Sequence, residues 1–91
     1  MTKKKTTEQA AKALKEIMAE LNEGVVKDYK MPTLCNIGTG KETGFAVILT
    51  LSTKYDYTSA ILNDWCERLE ASDYMISVRY NQLKVRFNVM Y

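Results

Sequence analysis

Gly38, Gly40 and Lys41, within Cys35-Asn36-Ile37-Gly38-Thr39-Gly40-Lys41-Glu42-Thr43-Gly44, are the residue types of a loop that wraps a phosphate. In such a loop backbone amides cradle the anion, the lysine reaches the outer phosphates, and a hydroxyl after the lysine holds magnesium. Aligned on Gly40-Lys41, the pattern puts Cys35 where the first glycine belongs and Glu42 where the hydroxyl belongs. A carboxylate at that point repels phosphate. The stretch also opens into Phe45-Ala46-Val47-Ile48-Leu49, a β pattern, and not into the helix whose first amides hold the anion. It reads as a glycine-rich hairpin connection with Lys41 at an exposed tip, a place where a partner can touch.

Other chemistries find less support. The chain contains no histidine, which excludes histidine-based nucleophilic triads, histidine-ligated zinc and imidazole acid–base catalysis. Asp64, Glu67 and Glu70 fall at helical spacing on a polar face with Asp56 upstream, so solvation is their ordinary fate. Cys35 and Cys66 lie far apart and form no C-x-x-C, and they read as two small buried side chains in a reducing compartment, with a disulfide between them as the alternative. No S-x-x-K spacing offers a serine nucleophile its base. The expectation is a protein that is not an enzyme and that carries no metal and no cofactor.

The elements that position these residues follow from periodicity. Residues 6–23 read as an amphipathic helix with Ala10, Leu14, Ile17, Met18 and Leu21 on one face, Thr6 as its cap and Gly24 as its stop. Residues 25–32 read as a linker or short extended stretch ended by Pro32, and residues 34–37 as a short strand near an edge. Residues 44–52 are the clearest central strand, apolar on both faces. A second helix, capped by Asp56 or Thr58, runs to about Ala71 with Ile61, Leu62, Trp65, Cys66 and Leu69 on its apolar face.

The last stretch alternates with period two. A turn at Asn81-Gln82 sets Tyr80 opposite Leu83, Val78 opposite Val85, Ile76 opposite Phe87 and Tyr74 opposite Val89, with every apolar residue on one face. The same register sets Arg79 beside Lys84 and Ser77 beside Arg86 on the other face. The predicted fold is α+β, a two-layer sandwich in the order α-β-β-α-β-β, with two helices on one face of a mostly antiparallel four-stranded sheet. Ninety-one residues make one domain, 1–91, with 1–5 as a flexible basic tail.

Net charge is +2, from 13 basic and 11 acidic side chains, too mild to argue for nucleic acid alone. From Tyr74 to Tyr91 there is no acid, while Arg79, Lys84 and Arg86 are present. These three, with Met90 on the same sheet face and Lys41 at the loop tip, are the expected partner-binding residues. A helix-backed four-stranded sheet is also how an RRM presents its RNA surface, but an RRM needs exposed aromatic rings. Here Phe45, Tyr74, Tyr80, Phe87 and Tyr91 are all expected on the core side. The functional expectation is a small binding or regulatory module that engages a protein or nucleoprotein partner as a homodimer. This size and plan are common among accessory and viral regulatory proteins. The alternative is an RNA- or DNA-binding protein using the basic outer face of the C-terminal hairpin. No apolar run reaches membrane-spanning length and the first residues lack a signal-peptide core, so no membrane role and a cytoplasmic location are expected.

Overall fold

A computed structural model describes residues 7–91. The expected basic tail over 1–5 and the expected cap at Thr6 lie outside the described residues. The element order is α1 (Thr7–Ala19), β1 (Val26–Lys30), β2 (Thr33–Cys35), β3 (Glu42–Leu51), α2 (Ser59–Arg68), β4 (Asp73–Arg79) and β5 (Gln82–Met90). The fold is α+β with an open antiparallel sheet in the order β1-β3-β5-β4, and β2 also pairs with β3. The segment expected as a linker or short extended stretch is thus a fifth strand. Val-Lys-Asp-Tyr-Lys has little apolar content because it runs along an edge with its side chains mostly in solvent.

β1 and β2 line one margin of β3, broken at Met31-Pro32. The ladder continues across the break, since the amide of Ala46 donates to the carbonyl of Pro32 at 2.9 Å. Proline contributes no N–H and is at home on such a margin. β3 and β5 form the centre, with Phe45 opposite Val89, Val47 opposite Phe87, Leu49 opposite Val85 and Leu51 opposite Leu83. These eight side chains are buried against Ala10, Leu14 and Ile17 of α1 and Leu62, Trp65 and Leu69 from α2 and its end. Each large apolar side chain so buried contributes about 1.5–3 kcal/mol.

Local chemistry fixes the ends of α2. The Thr58 hydroxyl accepts from the Ile61 amide at 3.2 Å, so Thr58 and not Asp56 is the cap. At the other end the Ala71 amide donates to Cys66 and the Glu70 amide to Glu67, with Glu70 left-handed at φ 54°. That pair of bonds is a Schellman stop, here built on glutamate instead of glycine. The two helices are clasped where Arg68 donates through both terminal nitrogens to the two carboxylate oxygens of Glu20, and Arg68 also meets Asp64 at 3.5 Å.

The β4–β5 connection differs from expectation by one residue. Its two turn residues are Tyr80 and Asn81, with φ of 52° and 60°, and Arg79 pairs with Gln82. Positive φ at both positions is the type I′ geometry whose twist suits a hairpin. The register follows: Val78 faces Leu83, Ser77 faces Lys84, Ile76 faces Val85, Met75 faces Arg86 and Tyr74 faces Phe87. Moving the turn by one residue slides the register by two, so each residue keeps the sheet face assigned by its alternation.

Candidate interaction surface

The loop that first suggested phosphate has its amides from Gly38 to Lys41 occupied. The Asn36 side-chain oxygen accepts from Gly38 at 2.9 Å and from Thr39 at 3.3 Å. The Gly40 amide donates to the Asn36 carbonyl at 2.7 Å, and the Lys41 amide to the Thr39 hydroxyl at 3.3 Å. Gly40, at φ 69°, makes the left-handed step of this turn. The connection between β2 and β3 is a self-satisfied hairpin loop, as the sequence pattern predicts.

The expected partner-binding residues do not form one patch. On the outer sheet face one row crosses Lys30, Ile48, Arg86 and Met75, and the next crosses Asp28, Thr50, Lys84 and Ser77. Met90 stands opposite Gly44, six residues along β5 from Lys84, which is roughly 20 Å of strand. Lys41 immediately precedes β3 and so lies at the Met90 end. Arg79 and Lys84 are at the other end, beside the hairpin turn. Arg86, between them, is half-buried and engaged: its Nε donates to Asn88 at 3.0 Å, and Asn88 donates to Asp73 at 2.7 Å. Asp28 and Asp73 interrupt the basic face.

Two further expectations are corrected. Cys35, expected buried, is exposed on β2, and only Cys66 is half-buried; both thiols are free. Burial, and then the nearby negative charge of Asp73, pushes the Cys66 thiol up, and its Sγ lies 3.5 Å from the Ala71 carbonyl. Tyr80, expected on the core side, is an exposed turn residue. Phe45 and Phe87 are buried as expected, Tyr74 is half-buried with its ring 6.1 Å from that of Phe87, and Tyr91 is exposed with its ring 6.4 Å from that of Phe45.

The most distinctive surface is one that alternation alone assigns partly to the core. On β4, Met75 is 63% exposed, Ile76 42%, Val78 63%, and Tyr80 just beyond the strand 95%. Ile76 and Val78 do lie on the helix side, opposite the buried Val85 and Leu83, yet they stay open to solvent, with Thr53 and Tyr57 beside Val78 across a shallow hollow. Of the β4 side chains, only Tyr74 packs against the core cluster.

The two sheet margins therefore differ in kind. The β1–β2 margin carries Pro32, a bulge at Lys27, and the charges of Lys27, Asp28 and Lys30. Those are the devices that deter a foreign strand. β4 is a seven-residue strand with no bulge against β5, no proline, and no charge between Asp73 and Arg79. Beside its far end, Ser77, Arg79, Tyr80, Gln82 and Lys84 line a shallow hollow of about 210 Å³.

Among the described residues, no helix is long and apolar enough to cross a membrane. No protein-family model matches the chain, and neither a curated protein nor a solved structure matches it.

Proposed function

We propose that this chain is a small non-enzymatic binding module that engages a protein or nucleoprotein partner and works as a homodimer. The observation that carries this reading is the open margin of β4, an unbulged edge strand presenting Met75, Ile76 and Val78 with unpaired backbone groups. Apolar side chains rimmed by Arg79 and Lys84 have the composition of an interface core with a polar rim. Strand addition supplies affinity through the main chain and specificity through alternate side chains. Two unpaired thiols suit a reducing compartment such as the cytoplasm.

One observation favours a second reading. Tyr80 is exposed beside Arg79 and Lys84, which places a ring able to stack on a base next to two cations able to meet phosphates. Fluorescence anisotropy with labelled single- and double-stranded RNA and DNA separates the two. Titrations run from about 50 mM salt upward, because phosphate contacts weaken steeply with salt and an apolar margin does not. The protein-partner reading expects no binding at low salt, together with self- or partner association that Val78→Lys abolishes. Micromolar binding that falls with salt and disappears in Arg79→Glu/Lys84→Glu would establish the nucleic-acid reading in its place.

A further inference from the structure

We propose that the partner of the β4 margin is β4 of a second copy, paired antiparallel and centred on Ile76. This rests on the reading of that margin as an interface. The strand is Asp73-Tyr74-Met75-Ile76-Ser77-Val78-Arg79, with its only two charges of opposite sign and each three residues from Ile76. Antiparallel pairing about Ile76 sets Asp73 of each copy opposite Arg79 of the other. It sets Tyr74 opposite Val78 and Met75 opposite Ser77. Opposite charges directly across a sheet attract, and like charges there repel. A parallel alignment in register sets acid beside acid and base beside base. Sliding the antiparallel register by two residues in either direction breaks both ion pairs. The strand is thus complementary to itself in one arrangement, which singles out a second copy over an unrelated strand.

Backbone and side chains agree on the same arrangement. In a hairpin with a two-residue turn the flanking residues, Arg79 and Gln82, exchange hydrogen bonds with each other. Alternation then turns the N–H and C=O of Tyr74, Ile76 and Val78 to the open margin. Pairing about Ile76 matches Ile76 with Ile76 and Tyr74 with Val78, so all these groups meet partners. The two-fold axis stands perpendicular to the sheet, which keeps both helix layers on one side. Tyr74, Ile76 and Val78 from both copies then form one apolar strip between those layers, covering the residues that α2 leaves open. Asp73 has one oxygen on Asn88, and its other remains to accept from Arg79 of the second copy.

Sedimentation velocity across a concentration series, with residue-resolved amide exchange, tests this on the full chain. The expected result is a dimer in which the amides of Tyr74, Ile76 and Val78 slow as it becomes populated. Arg79→Asp places acid opposite acid at both ends and raises the dissociation constant roughly tenfold. Adding Asp73→Arg to that variant exchanges the two charges and restores association. Circular dichroism melting of each variant checks that the fold is kept, since Asp73 also holds Asn88. A wild-type chain that stays monomeric with fast β4 amides overturns self-pairing and leaves the margin to another protein's strand. A dimer indifferent to Arg79→Asp but broken by Ile76→Lys overturns the register. A dimer indifferent to both overturns the reading of β4 as an interface.

Discussion

Gly44 shows how far one residue type can be dictated by its neighbours. A Cβ built there would stand 2.1 Å from the Val89 carbonyl oxygen and 2.9 Å from the Met90 Cα, both backbone atoms that cannot swing aside. Gly44→Ala must push β3 and β5 apart at the Met90 end, and urea unfolding is expected to show a loss of about 1–3 kcal/mol or more. Glu20 is decided by charge. The Arg68 hydrogen bonds hold its carboxyl below the ordinary value of 4.5. Because the folded pKa is depressed, the contribution is present above that ordinary value and disappears as pH falls through the lowered one. Glu20→Gln should therefore melt below the wild type at neutral pH, and the gap should close under acid as Glu20 protonates. The pair is exposed, so the gap will be small. The thiols differ by location. Titration with a chromogenic disulfide should show one fast cysteine, Cys35, and one slow one, Cys66, with Cys35→Ser removing the fast phase.

At the scale of elements, alternation and helical spacing in the sequence carry most of the architecture. Leu14 and Ile17, Leu62 and Trp65, and the alternate residues of β3 and β5 face one another as their periods require. Alternation is blind, however, to a register change of two residues, which leaves every side chain on its own face. Apolar residues alone cannot place the turn at Tyr80-Asn81 instead of Asn81-Gln82. What decides it is backbone twist, and Tyr80 obscures the signal because a bulky residue at positive φ is unusual. Giving this turn the asparagine–glycine pair that its geometry favours, through Tyr80→Asn with Asn81→Gly, should raise stability by up to about 1 kcal/mol in urea unfolding. β1 is hard to read for the opposite reason: a strand exposed along a margin has no apolar period. The candidate site is legible only in part. Arg79 and Lys84 do lie together, but the remoteness of Lys41 and Met90 depends on which strands are neighbours. The bare stretch of β4 depends on tertiary cover, which alternation along one strand does not carry.

For the whole molecule, the helix layer covers the centre of the sheet and leaves both margins largely open. The core of β3 and β5 is fully roofed, β1 and β2 are roofed in part, and β4 extends beyond cover. Under the proposed self-pairing, stability and association draw on separate residues. Val78→Lys, at a 63% exposed position, should abolish association through β4, leave the melting temperature of dilute monomer nearly unchanged, and remove the rise of melting temperature with concentration that the proposed dimer brings. The margin formed by β1 and β2 carries a consequence of another kind. Once two copies join through β4, that margin is the only one each contributes to the outside of the joint sheet. Its proline, bulge and charges make it a terminator, and assembly stops after a single propagation step. Concentrated solutions should sediment as one finite particle with no growing fibre. Removing Pro32 and the bulge at Lys27 is the change that would turn a closed pair into an open polymer.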